Sequence, residues 1–427
     1  MKTTKNLAVS VLMSIIAAVT FTACSESYMD FGIEEQMEGC KPATSMGNQR
    51  TVLVYMAGRN DLSLYAGYDL EEMKQGSKQL NKDQALLVFM RRCHDGEQPW
   101  LGRIQNGEII DKVTVADMGI NEDELYASDP AVMEKVMKYA FTHYPSINDE
   151  YGLVLWGHGS GWLIEETVDS KPRNRGYGVD VGNYIWSTDG RWINIPTLNT
   201  VLSNMPHLKF IFADCCNFMC LESLYELRQV TDYIIGSPAE IPANGAPYQT
   251  VVPAMFEPTT FYHAIAQRYH EATKGALPLS VVRTSEMENV AQATRNALKS
   301  ISERESGFAD MTGMIHYNYL GSKKDPFHQM YNIFYDAGNF IRHYATPSEY
   351  QQWKQALDQA VIEKYIAYSW STIKGWQKFY TDFEVTEDNF HGVSMFVPQD
   401  NNAEHGEYYA KFNKDIAQMQ WLHVVNK

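Results

Sequence analysis

Two segments carry residues that could do covalent chemistry together. LVLWGHGSGW at 153–162 is an apolar run that ends in a histidine between glycines, His158. FIFADCCNFMCLESLYEL at 210–227 is an apolar run that ends in Asp214-Cys215-Cys216 and opens into a helical pattern. A free cysteine has a reference pKa near 8.5 and is only a few per cent thiolate at neutral pH. It becomes a strong nucleophile when an imidazole takes its proton, and that imidazole can return the proton to a leaving amine. Gly157 and Gly159 let the turn around His158 bend tightly and bring backbone N–H groups near a substrate carbonyl. Cys216 directly precedes the stretch Phe218–Val230, which reads as a helix, so its sulfur is expected at a helix N-terminus, where the anion is favoured.

Taken singly, each residue also fits a structural role. A buried cysteine serves as a small hydrophobe and a lone histidine as a hydrogen-bonder. Cys215 and Cys220 are assigned to the core: alternation puts Cys215 on the opposite side of its strand from Cys216, and Cys220 falls within the expected helix. Asp214 is a carboxylate at the tip of a buried strand, which is costly unless paired. Backbone amides of the following helix or a cationic substrate side chain could pair with it, and the residues alone leave both open.

The elements around these segments alternate. Strands are expected at 51–56, 84–91, 152–156, 208–213, 233–237 and 279–284. A hairpin is expected at 100–115 about Asn106-Gly107, and helices at 65–80, 130–143 and 259–272. Asp129 and Pro130 form an N-terminal helix signal. Residues 163–194 read as one long surface loop. The chain is then mostly helical to His391-Gly-Val-Ser-Met-Phe-Val-Pro398, a late strand. This order predicts an α/β fold: a three-layer α/β/α sandwich with a mostly parallel central sheet and a helical C-terminal part. Catalytic groups in such a sheet gather at the carboxyl ends of adjacent strands, where His158 and Cys216 both fall.

The composition is that of a globular protein, 44% hydrophobic and 21% charged, and the net charge of −16 argues against a nucleic-acid partner. At the N-terminus, Lys2 and Lys5 precede an apolar run, Leu7–Thr20, too short to span a membrane. With Phe21-Thr22-Ala23-Cys24 it reads as a signal peptide over 1–23 followed by a lipid-bearing Cys24. Residues 24–50 then form a tether, and 51–427 the folded domain, with a core to about 300, a mainly helical addition at 301–390 and a tail from 391. The expected location is the cell envelope, periplasm-facing or at the surface, with membrane contact through the lipid only. A Cys40–Cys93 disulfide is open to an exported chain. No nucleotide-binding or metalloprotease motif is present, so no cofactor or metal is expected.

The chain resembles the clostripain-type cysteine peptidases, which share the sheet core of the caspase, gingipain and legumain group. The resemblance runs through YMAGRNDL at 55–62, LVLWGHGSGW at 153–162, DxC and LESLYEL at 214–227, GSPAEIPANGAPY at 236–248 and HGVSMFVP at 391–398. It implies a His158–Cys216 dyad, with Cys216 preferred over Cys215 by its spacing to Glu222. It further implies backbone N–H groups of Gly159 and Cys216 as the oxyanion hole, and Asp214 in the pocket for a substrate Arg or Lys. Self-cleavage in the 163–194 loop, at Lys171, Arg173 or Arg175, and calcium near Asp180 and Asp189 follow from the same resemblance, though both aspartates also read as solvated loop residues. Arg59 stands where the family commonly has Asp. The expected protein is a monomeric endopeptidase acting on basic peptide or protein substrates. A catalytically silent binding module and another thiol acyl-transferase are the alternatives.

Overall fold

Thirteen strands and eleven helices make up the described part of the chain. The strands are β1 (Arg50–Gly58), β2 (Gln84–Arg92), β3 (Trp100–Gln105), β4 (Glu108–Thr114), β5 (Tyr151–Gly157), β6 (Tyr177–Asp180), β7 (Arg191–Ile193), β8 (Leu208–Asp214), β9 (Thr231–Gly236), β10 (Leu279–Arg283), β11 (Tyr335–Asp336), β12 (Val361–Tyr365) and β13 (Ser394–Met395). The helices are α1 (Ser63–Ser77), α2 (Pro130–His143), α3 (Ile195–Ser203), α4 (Leu221–Glu226), α5 (Tyr248–Ala254), α6 (Phe261–Ala272), α7 (Met287–Arg304), α8 (Ala337–Tyr344), α9 (Pro347–Ala360), α10 (Gly406–Ile416) and α11 (Gln420–Val425). The computed structural model describes residues 47–94, 96–122, 125–164, 176–182, 190–317, 333–368, 370, 383–398 and 406–426. Thr44–Lys427 form one compact unit.

Nine strands form one sheet in the order β12-β10-β9-β8-β5-β1-β2-β3-β4. The five central strands, β9-β8-β5-β1-β2, run parallel, and both edges are antiparallel. β1 and β5 are buried along their whole length, as their nearly continuous apolar sequences require of strands covered on both faces. One face packs against α1, α5 and α6, through Leu70, Val252 and Ile265. The other packs against α2, α3, α4 and α7, through Met133, Leu198, Leu224 and Val290. This is the expected three-layer sandwich. The expected hairpin forms about Asn106 and Gly107, both at positive φ (50° and 86°), the conformation of a type I′ turn. Asp129 caps α2, accepting from Ala131 N at 2.8 Å, with Pro130 in the first turn.

Several expectations need correction. The helix after the cysteines spans Leu221–Glu226 and not Phe218–Val230. Residues 215–219 form instead an irregular loop that bonds to the segment after β9: Asn217 N donates to Ala239 O and Met219 N to Ser237 O. The 163–194 loop contains the antiparallel pair β6–β7. The mainly helical addition supplies β12, which extends the main sheet, and β11, which pairs with β13. The late strand is thus two residues long and lies outside the main sheet. It bridges to Cys220, and Ser394 N donates to Met219 O. Glu222 accepts from Phe396 N at 2.7 Å. The C-terminal part therefore braces the cysteine loop from behind.

That brace hangs on a buried contact between a carboxylate and a histidine. Asp336 is fully buried and caps α8 through Asn339 N. Its Oδ1 lies 2.8 Å from His391 Nδ1, and its Oδ2 accepts from Tyr317 OH (2.6 Å) and His391 N (2.8 Å). Burial alone would raise its pKa, but His391 and these donors hold the carboxyl below the usual range. A folded-state pKa below the unfolded value of about 3.9 stabilises the protein above that pH, and the gain is lost as pH falls through the folded value. Asp336→Ala is expected to cost about 3–5 kcal/mol of unfolding free energy, read as a lower urea midpoint at pH 7, and to blunt the acid sensitivity of that midpoint below about pH 4. Equal midpoints for both proteins at pH 7 would refute the assignment.

Candidate active site

The carboxyl ends of β1, β5 and β8 meet at one edge of the sheet. Parallel register pairs Ala57 with Gly157 and Trp156 with Asp214, so residues 157–158 and 214–216 emerge side by side. Gly157 sits at φ 143°, and a Cβ there would come within 3.0 Å of Ala57 O. Gly159 approaches the second segment still more closely. A Cβ on it would lie 2.7 Å from Cys216 O and 3.0 Å from Cys215 Sγ, so only glycine lets the two loops touch.

The loop after His158 is held in a short antiparallel bridge with β6. Gly178 N donates to His158 O and Ser160 N to Gly176 O, both at 2.8 Å. This pattern leaves the N–H of Gly159 pointing out of the bridge. Among the described residues, neither that N–H nor the N–H of Cys216 has a hydrogen-bond partner. Asn217, at φ 54°, turns the chain sharply after Cys216.

His158, Cys216 and Asp214 line one pocket of about 300 Å³, together with Asp61, Leu62, Tyr65, Trp156, Glu240, Ile241, Pro242 and Gly245. That volume is at the low end of ligand sites. A larger groove of about 1090 Å³ lies between α8, α9 and residues 387–391; it is lined by amides and charged groups and contains no cysteine. The small pocket is where the reactive residue types converge.

Asp61 is the residue that sequence reasoning missed. Its Oδ1 lies 2.6 Å from His158 Nε2, and this bond holds the Asp61 carboxyl below its usual range. Asn60 fixes the turn that presents it, donating to Ala57 O and Val179 O and accepting from Leu62 N. Arg59 ties the same turn to the segment after β6, through Gly182 O at 2.8 Å. Asp61 stood within the motif at 55–62, but nothing in its spacing pointed across to His158.

Asp214 is buried and accepts from Ala246 N (3.1 Å), Tyr248 OH (2.8 Å) and Tyr269 OH (3.3 Å). Its partners are thus supplied by the segment before α5 and by α5 and α6, and not by the helix that follows it in sequence. Burial pushes its pKa up to about 6 against these donors. Cys215 is fully buried on the other face of the sheet, and Cys220 is buried at the start of α4, both as expected.

The Cys216 thiol departs from expectation. α4 begins only at Leu221 and is six residues long, so Cys216 lies five residues before it and not at its N-terminus. Cys216 Sγ accepts from Ile241 N at 3.3 Å. Although the residue is partly exposed to the pocket, burial around the sulfur, followed by the charge of Glu240, raises the thiol to about 12.

Asp180 also differs from the solvated loop residue expected. It is fully buried, paired with Arg91 at 3.2 Å, and accepts from Ala127 N and Gly182 N. Among the described residues no cluster of side chains has the make-up of a metal site. Asp189, Lys171, Arg173, Arg175, Cys24 and Cys40 lie outside the described residues.

The fold is that of a cysteine peptidase. The clostripain family model, peptidase C11, matches residues 54–427, and the chain belongs to that family. It is 30% identical to a secreted C11 cysteine protease from Bacteroides thetaiotaomicron, solved with an irreversible peptide inhibitor; the match covers 89% of this chain and 99% of the other, with a TM-score of 0.69. It is 25% identical to an inactive zymogen C11 protease from Parabacteroides distasonis, over 90% and 100% of the two chains, with a TM-score of 0.71. A second secreted C11 protease from Bacteroides thetaiotaomicron, iotapain, shares the fold at 19% identity, over 89% of this chain and 100% of that one, with a TM-score of 0.64. No curated protein matches. Among the described residues no helix is long and apolar enough to cross a membrane.

The upward shift of the Cys216 thiol has a direct consequence. Alkylation of Cys216 by iodoacetamide should be slow at pH 7 and accelerate about tenfold per pH unit to beyond pH 10, because only the thiolate attacks. Mass-spectrometric mapping should find Cys215 and Cys220 unlabelled in the folded protein. Fast alkylation that is already pH-independent at pH 7 would show a preformed thiolate instead.

Proposed function

We propose that the protein is an exported cysteine endopeptidase in which Cys216 is the nucleophile, His158 its base and Asp214 the floor of a pocket for Arg or Lys. The observation that carries this reading is the convergence of His158, Cys216 and Asp214 on one pocket of about 300 Å³, with the backbone N–H groups of Gly159 and Cys216 unpaired among the described residues. The ionised Asp61 accepts from Nε2 of the imidazole, which leaves Nδ1 to receive the thiol proton. The raised thiol favours general-base attack over a standing thiolate–imidazolium pair: as Sγ bonds to the carbonyl carbon, its proton passes to His158. The N–H groups of Gly159 and Cys216 then receive the oxyanion. His158 delivers the proton to the leaving amine, and water hydrolyses the acyl-enzyme.

An acidic floor favours a cation, and a bidentate Arg contact is stronger than the point contact of Lys. Removing a charge partner from a desolvated pocket costs about 2–5 kcal/mol. Asp214→Asn should therefore lower kcat/KM for arginyl substrates by roughly 30-fold or more. Cys216→Ala should abolish amide cleavage with the fold intact, since little cavity is made, and Cys215→Ala should retain most activity. Asp61→Asn should lower kcat by about tenfold by loosening the imidazole. A positional-scanning peptide library checks specificity: cleavage after aspartate or small apolar residues, with Arg and Lys ignored, would sink the pocket assignment and leave the dyad standing.

Two further parts of the proposal concern maturation. Lys171, Arg173 and Arg175 suit the enzyme's own preference, and a cut there would leave two fragments joined by the pairing of β5 with β8. Cys24 would carry the lipid that holds a monomeric domain near the membrane by the 24–50 tether. Mass spectrometry of active protein from the membrane fraction is expected to find an acylated Cys24 and two chains split within 163–194. A fully active single chain, or an unmodified soluble one, would refute the respective part.

A further inference from the structure

The outer row of α1 changes character along its length. The inner side of this helix is fixed to the sheet: Ala66, Leu70 and Met73 pack in the core, and Asp69 accepts from Trp156 Nε1 at 2.6 Å. Positions 64, 68, 71 and 75 recur at helical spacing on the opposite side. Glu71 and Gln75 are polar and exposed, as a surface row requires. Leu64 and Tyr68 break that rule, at 63% and 58% exposed. Single exposed apolar side chains need no explanation, but these two stand one turn apart and continue into the pocket. The ring of Tyr68 meets that of Tyr65 edge-on, with centroids 6.3 Å apart, and Tyr65 and Leu62 line the pocket with His158 and Cys216. The start of the helix is pinned as well. Leu62 N donates to Asn60 Oδ1, and Ser63 Oγ accepts from Cys93 N and donates to Cys93 O. An apolar surface thus runs from the pocket over the first turns of α1 and stops at Glu71.

We infer that Leu64, Tyr65 and Tyr68 form a subsite for an apolar side chain on the leaving-group side of the scissile bond, so that the enzyme selects peptides with a large apolar residue just after the cut. The inference rests on the reading of Cys216 and His158 as the reacting pair.

The pocket has two walls. On the cysteine side stand Glu240, Ile241 and Pro242, and Ile241 N donates to Cys216 Sγ. On the histidine side stand Asp61, bonded to His158, then Leu62 and Tyr65. In the proposed chemistry the substrate carbonyl carbon bonds to Cys216 Sγ, and the leaving nitrogen faces His158, which protonates it. The chain beyond that nitrogen therefore departs along the histidine wall, over Asp61 and Leu62 toward the first turns of α1. An extended residue spans about 3.3 Å, so the first or second side chain after the cut meets a surface that begins at the pocket. A second copy of this chain is a poorer occupant. A stable dimer buries roughly 800 Å² on each partner. Leu62, Leu64, Tyr65 and Tyr68, all partly covered already, expose less than that at about 200 Å² for a whole aromatic side chain. One leucyl or phenylalanyl side chain matches them in size.

The test is a set of internally quenched peptides that keep the residue before the cut fixed as the one the positional-scanning library selects. The two positions upstream of it and the two after the cut are varied, and cleavage sites are read by mass spectrometry. With the wild-type protein, kcat/KM is expected to be about tenfold higher for Leu, Phe or Tyr than for Gly or Asp at one of the positions after the cut. Leu64→Gln combined with Tyr68→Gln, which keeps helix propensity and changes only exposed side chains, should bring that ratio below about threefold. A ratio of two rates on one protein is not moved by partial unfolding or by a general loss of activity. Cleavage that needs Cys216 but shows no apolar preference after the cut overturns the inference alone, and so does a preference that the double variant keeps. An apolar preference upstream of the cut that the double variant loses also overturns it, by putting the α1 surface on the acyl side. Undiminished cleavage by Cys216→Ala overturns the reading of the reacting pair and the inference with it.

Discussion

The parallel, in-register pairing of β1, β5 and β8 is the constraint on which the site depends. It brings the carboxyl ends of three buried strands to one edge and fixes Trp156 beside Asp214. The absence of a side chain at Gly159 then lets the histidine loop rest on the backbone of Cys216. Neither loop has regular structure of its own at this point. Each is shaped by a neighbour: the histidine loop by β6, the cysteine loop by the segment after β9, with β13 behind it. A sheet buried on both faces cannot slip by one residue without turning its apolar side chains the wrong way, so the register that serves the core also aligns the chemistry.

Electrostatically the pocket is acidic, and burial with the charge of Glu240 pushes its thiol up. Asp214 and Glu240 line the pocket with Cys216, and the charge of Glu240 and of Asp214 opposes a thiolate. If Asp214 is the pocket floor as proposed, a substrate cation would relieve both the desolvation and the repulsion among these acids.

The segment 176–182 joins these themes to the middle of the chain. Asp180 is anchored by Arg91, Val179 O and Gly182 O hold Asn60 and Arg59, and the turn so fixed sets Asp61 against His158. Arg59 thus helps to support the histidine from the far side of the turn.

The local patterns of the sequence were enough to read the parallel core, the Asn106-Gly107 hairpin, the capped start of α2, and the strand-end position of His158, Asp214 and Cys216. These depend on burial, turn chemistry and period-two alternation, which neighbouring residues encode. Alternation likewise assigned Cys215 to the core. What the sequence could not show depends on contacts between distant segments. The bond from Asp61 to His158, the tyrosines of α5 and α6 on Asp214, the indole of Trp156 on Asp69 and the burial of Asp180 against Arg91 each join residues far apart in the chain. The thiol's environment was misread for the same reason. A helix start beside Cys216 was a local inference, whereas the loop actually formed is set by backbone bonds to residues 237–241. Residue type and spacing determined which groups could react; tertiary packing decided which charges they would feel.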